Sequence, residues 1–189
     1  MKLMPVMDAA SRKVQELQPT RLRTWAMQIE LAKTVAAQPI DAFTIVTNVA
    51  DWPGIISSIK RIEVLTPGPL RAGTRLREQR TLFGRNRAQE LEIAAIERPH
   101  RLRLWADDPD LAYELDHMID AIFGGGCRIT LAFRTRPVSQ VGRAAQPFMA
   151  PFMEITLRDE LEQDLSDLAA AVSRQASLRD RPTRSKGSA

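Results

Sequence analysis

The sequence of 189 residues is poor in the side chains that build metal and redox centres, with one cysteine, Cys127, and two histidines, His100 and His117. A single cysteine excludes an internal disulfide and a cysteine-based zinc site and fits a reducing compartment, while two histidines make a histidine-rich metal site an unpromising reading. Long apolar runs are missing too. No stretch approaches the roughly 18 consecutive apolar residues that a membrane span needs, and Met1 to Ser11 has no apolar core of the secretory kind. Gly124-Gly125-Gly126 lacks the following lysine of a phosphate loop, and no nucleophile stands at a readable spacing from a base. These absences lead us to expect a cytoplasmic protein with no metal and no cofactor.

Charge is present, but in the wrong place for nucleic acid. The formal net charge is +4. Its positive part sits at the ends: Arg174, Arg179, Arg181, Arg184 and Lys186 stand against Asp180, and Lys2, Arg12, Lys13, Arg21 and Arg23 against Asp8 and Glu16. The middle is therefore net acidic, a poor electrostatic footprint for a phosphate backbone, and no nucleic-acid partner is expected. We divide the chain into an appendage (residues 1–23, partly disordered or a short helix over Ala9 to Leu17), a domain (24–175) and a basic tail (176–189) expected to be disordered.

Within the domain, Trp25, Met27, Ile29 and Leu31 alternate with polar residues, the sign of a half-buried strand. Pro39 then opens a helix over Ile40, Phe43, Ile45, Val46 and Val49; Asp51-Trp52-Pro53-Gly54 ends it, and a further helical turn is expected over Ile55 to Ser58. Six more strands are predicted, separated by turn chemistry: Ile59 to Leu65, Thr74 to Leu82, Arg87 to Ile96, Arg101 to Ala106, Tyr113 to Phe123 and Cys127 to Thr135. Last comes a long helix expected to begin near Pro151, because Leu157, Leu161, Leu165, Leu168 and Val172 form a continuous apolar stripe. About 24 residues at 1.5 Å each span roughly 36 Å, enough to cross a whole sheet.

This order of elements resembles the SRPBCC (START-like) superfamily, in particular its polyketide cyclase/dehydrase and lipid-transport family. Gln38 to Phe43 and Thr47 to Pro53 are similar to that family's first helix and Trp-Pro turn, Gly73 to Glu78 to its third strand, Glu97-Arg98-Pro99 to the turn before its fifth, and Gly124 to Cys127 to its glycine-rich turn. Asp164-Leu165 with Asp167-Leu168 lies where its terminal helix packs. The match runs from about Thr24 to Ser173 and is collinear; Asn48 and Cys127 depart from the pattern, where the family often has Asp and usually Thr. The resemblance implies an α+β helix-grip fold, a curved seven-stranded antiparallel sheet wrapped around the C-terminal helix, with an apolar cavity between them.

With the apolar face of each strand turned to that helix, the expected cavity lining is Leu76, Leu91, Ile93, Leu102, Leu104, Tyr113, Leu115, Ile119, Ile129 and Leu131, with Phe148, Phe152 and Met153 near the mouth. Three charged or titratable residues fall on the same faces: Glu78 and Arg80 by alternation from Leu76, and His117 between Leu115 and Ile119. Buried without partners they would each cost about 1 to 3 kcal/mol. Reaching one cavity, they would suit orientation of a ligand head group or proton movement in a cyclisation or dehydration. The bland alternative is that Glu78 and Arg80 pair with each other or with neighbouring strands, and that His117 is a satisfied core residue. Asp116 and Asp120 point away from His117, so no metal site is expected there.

Three functions stay open at this point. The chain is a binder or carrier of a hydrophobic small molecule such as a lipid or polyketide; or a polyketide cyclase, aromatase or dehydratase; or a quinone-binding or protein-partner module. The sequence carries no statement of oligomeric state.

Overall fold

The computed structural model describes residues 25–82, 84–107 and 111–179. The appendage 1–23 with Thr24, Phe83 after the strand predicted to end at Leu82, residues 108–110 and the tail from 180 onward lie outside the described residues. The described residues form seven strands: β1 (Met27–Val35), β2 (Ile59–Val64), β3 (Arg75–Leu82), β4 (Arg85–Glu97), β5 (Arg101–Asp107), β6 (Leu111–Ala121) and β7 (Cys127–Pro137), with burial alternating along β3 and continuous through the middle of β6 and β7. Every neighbouring pair is antiparallel, in the order β1-β7-β6-β5-β4-β3-β2. Irregularities in register between Ile59 and Arg61 and between Ile93 and Ala95 fit a curved sheet, since a bulge bends its strand.

The first strand is joined to the second through helix α1 (Pro39–Thr47), a 3-10 turn (Val49–Asp51) and a short helix α2 (Trp52–Ile55). Pro39 and Pro53 both sit in the first turn of their helices, where a missing N–H costs nothing. The second helical turn thus starts at Trp52, three residues before the expected Ile55, because Pro53 opens it instead of ending the first. Asn48 closes α1 through its backbone N–H, which donates to the Thr44 carbonyl at 3.1 Å, while its side-chain amide donates to Asp51 at 2.6 Å. Between β6 and β7 the chain turns through Gly126 at φ 92°, and a Cβ there would stand 2.6 Å from the Val35 carbonyl oxygen. Only glycine lets the β6–β7 turn lie that close to the end of β1.

The terminal helix, α3 (Gln140–Arg179), is longer than the sequence suggests at both ends. Pro151 reads as a start, yet Pro147 and Pro151 both lie inside the helix. Interior proline costs about 3 kcal/mol but does not bar a helix. The stripe that packs on the sheet, Leu157, Leu161, Leu165, Leu168, Val172 and Ala176, lies wholly beyond both prolines. At the other end, Ala176 is buried and α3 runs on to Arg179, whose guanidinium pairs with Asp41 of α1; residues 176–179 therefore belong to the folded unit and not to the tail. α3 packs against β1, β7 and α1. No described helix is long and apolar enough to cross a membrane.

Candidate functional site

Between the middle of α3 and the concave face of the sheet lies a cavity of about 530 Å³. Its apolar wall includes Met27, Leu82, Ala106, Leu115, Phe133, Met153, Leu157 and Leu161. Tyr113 and Phe133, 5.1 Å apart between ring centroids, face each other across β6 and β7 and give the wall an aromatic patch. Polar groups enter at Arg80, Gln89, Tyr113, Thr135 and Glu160.

Arg80 belongs to a buried network. Its guanidinium donates to the Ser58 hydroxyl at 2.8 Å and to the Asp164 carboxylate of α3, and lies 3.6 Å from the Glu78 carboxylate. The Ser58 hydroxyl donates to Asp164 at 2.7 Å, and the Gln89 amide to Glu78 at 2.8 Å. Burial pushes the Glu78 carboxyl above its ordinary range, against the pull of Arg80 and the Gln89 bond, and Asp164 adds to the rise. For Arg80, burial works against the charge, but Asp164 and Glu78 outweigh it and hold the guanidinium firmly protonated. The same α3 turn reaches Ser57, whose backbone N–H donates to Asp167 at 2.8 Å, so the α2–β2 turn is tied to the helix twice.

Alternation thus places Glu78 and Arg80 together, while His117 stays apart from them. By register His117 is level with Leu102 on β5, which is level with Ile96 on β4, beyond the start of β3 at Arg75; Arg80 is level with Arg87 at the opposite end. His117 is not part of the cavity wall. It packs against Trp52 with ring centroids 5.7 Å apart, and its Nδ1 and the Trp52 Nε1 have no hydrogen-bond partner among the described residues. Burial lowers the His117 imidazole to about 4, although Asp116 and a bond to the Leu102 backbone oppose the shift. A candidate general acid or base at that position is a neutral core residue on this geometry.

Of the other expected lining residues, Tyr113, Leu115 and Met153 border the cavity. Leu76, Leu91, Ile93, Leu102, Leu104, Ile119 and Ile129 are packed in the continuous core, as is Leu131, because the C-terminal half of α3 fills the rest of the concave face. Phe152 is 75% exposed and points away from the cavity, one residue before Met153 on the helix. The side chain of Phe148 lies outside the described residues. Asp164 and Ser58 are the functional-looking residues that the sequence reading passes over. Asp164 had a signal: it falls between Leu161 and Leu165 on the packed face of α3, where a carboxylate requires a partner. Ser58 had none.

On the convex face Asp116 is fully buried under Arg101, at 2.9 Å, and Arg103, also at 2.9 Å, with Arg134 pairing to Glu114 beside them. Burial would raise the Asp116 carboxyl, but the bonds from Arg101 and Arg103 outweigh it and hold it below the ordinary range. Among the described residues no group of three or more His, Cys, Asp or Glu is placed to hold a metal ion.

The family model described as polyketide cyclase / dehydrase and lipid transport matches residues 26–173. The chain belongs to this family. Solved structures agree on the fold. A protein of Thermus thermophilus superimposes with a TM-score of 0.66 at 15% identity, over 79% of this chain and 99% of its own. The Zhui aromatase/cyclase of Streptomyces sp. R1128 gives 0.65 at 14% identity, over 79% of this chain and 94% of its own. A START superfamily protein of Mycobacterium smegmatis gives 0.58 at 13% identity, over 80% and 98%. No curated protein matches the sequence. The helix-grip architecture is therefore common to the family member described here and to these structures, while identities this low speak to fold alone.

Proposed function

We propose that this family member binds a hydrophobic small molecule in the cavity between α3 and the sheet, as a binder or carrier. The observation that carries this reading is the cavity itself: about 530 Å³, apolar over most of its wall, with polar groups contributed by β3, β4, β6, β7 and α3. That size and composition are those of small-molecule sites in general. The binder reading is favoured over the cyclase or dehydratase reading because the three candidate catalytic residues do not assemble. His117 faces Trp52, and the Glu78 carboxylate is engaged by Arg80 and Gln89. A proton-transfer mechanism needs a group within hydrogen-bond reach of the reacting atom.

Native mass spectrometry of the purified protein, followed by denaturing extraction, tests this. The expected result is an apolar molecule of one or a few chemical classes released on denaturation. A protein that carries none, and whose melting temperature does not rise with any member of a panel of lipids, quinones and polyketides, would contradict it and shift weight to a protein-partner role.

A further inference from the structure

Arg80 and Arg87 stand directly opposite each other on β3 and β4, and both line the cavity. Their neighbours in the ladder show that the face they share is the concave one: Leu76 and Leu91, level with each other, both belong to the core, and Gln89 donates to Glu78 across the same pair of strands. Like charges directly opposite weaken a strand pair, so two arginines placed this way call for two sets of anions. One of them has its own. The Arg80 guanidinium is met by Asp164 and Glu78, whereas Arg87 is joined to no acid among the described residues.

The other acids of the cavity wall do not fill that place. Glu90 is level with Arg77 and pairs with Arg75 and Arg77. Glu160 of α3 has an interaction of its own and makes no ion pair with Arg87. Arg87 is exposed, and contact with water is what lets its charge stand without a protein partner. A ligand carboxylate would complete the arrangement, because the guanidinium fork matches a carboxylate with two parallel hydrogen bonds and the added negative charge offsets the repulsion between the two arginines. A volume of about 530 Å³ suits one drug-sized molecule, which favours a single-chain acid over a two-chain phospholipid.

We propose that the ligand of the cavity is an amphipathic acid whose carboxylate pairs with Arg87, beside Arg80, while its apolar body lies against Leu82, Leu115 and Phe133. This rests on the cavity reading above and adds to it the chemical class of the ligand.

Dodecanoic acid and its methyl ester make the test, each titrated against bound Nile red at about pH 8, where the acid is ionised. The readout is the change each probe shows between proteins, since the ester is intrinsically the more apolar of the two. Arg87→Gln alters an exposed side chain and is expected to weaken dodecanoate by roughly three-fold to ten-fold while leaving the ester unchanged. Arg85→Gln, an exposed arginine of the same strand that does not line the cavity, is expected to change neither. Added salt is expected to weaken dodecanoate on the wild type and to have less effect on Arg87→Gln. Displacement by the ester but not by the acid, an unchanged dodecanoate affinity in folded Arg87→Gln, or an equal loss of both probes would overturn the assignment of Arg87 and of an acidic ligand. Failure of Nile red to bind the wild type at all would instead overturn the cavity reading, and the assignment with it.

Discussion

Two buried carboxylates are each held by arginine on opposite faces of one sheet, and burial and partners decide them differently. At Asp116 the arginines win and the carboxyl is lowered from 3.8; at Glu78 burial wins and the carboxyl is raised. For Asp116 the consequence is stability that is present above pH 3.8 and lost as pH falls below it through the depressed folded value. Asp116→Asn is expected to lower stability at neutral pH by about 1 to 3 kcal/mol and to flatten the acid limb below pH 3.8, measured by urea unfolding across a pH series. His117 acts in a separate window. Its imidazole is lowered from 6.5 to about 4, so between those values the unfolded chain takes up a proton that the folded one refuses. Stability is then full above pH 6.5 and declines toward pH 4 by about 3 kcal/mol, a slope that His117→Leu is expected to remove. The sequence shows that Glu78, Arg80 and His117 face inward because a strand alternates. It does not show that Arg80 meets Asp164, since that contact joins positions 84 residues apart on different elements.

Turns and helix ends explain which elements were legible. Most strands are readable because glycine, proline or aspartate bounds them and because, as along β3, alternate residues are buried, a local signal that needs no tertiary context. β6 and β7 are buried on both faces in their middle and are marked instead by the Gly124-Gly125-Gly126 turn between them. The Gln140 start of α3 is not readable, because a proline marks a helix start only where the chain before it leaves the helical path, and here it does not. Two changes test the elements directly. Leu168→Ala, on the fully buried stripe of α3, is expected to cost about 2 to 5 kcal/mol in urea unfolding. Gly126→Ala forces both a left-handed φ and a Cβ 2.6 Å from the Val35 oxygen, and is expected to loosen the β1–β7 end of the sheet, seen as faster amide exchange at Val35 and Cys127.

At the scale of the whole molecule, the long helix does two jobs along its length. From Leu161 onward it closes most of the concave face as a solid core, and from Met153 to Leu161 it roofs a cavity. Curvature of the sheet brings β3 and β6, three places apart in the sheet order, to the same cavity, so Arg80 and Tyr113 share it. Alternation predicts a lining spread evenly over the apolar faces. Where along its length α3 stops filling the concave face is a matter of side-chain volume and helix placement, which periodicity does not encode.

The most direct test of the account is Nile red binding by the wild type and by Ala106→Trp, which places a large side chain on the cavity wall without touching the Arg80 network. The account predicts that the wild type binds one Nile red and that the folded variant binds roughly ten-fold or more weakly while melting no earlier. Binding of the dye by a folded Ala106→Trp protein as tightly as by the wild type would contradict it, because the ligand would then occupy some place other than the cavity between α3 and the sheet.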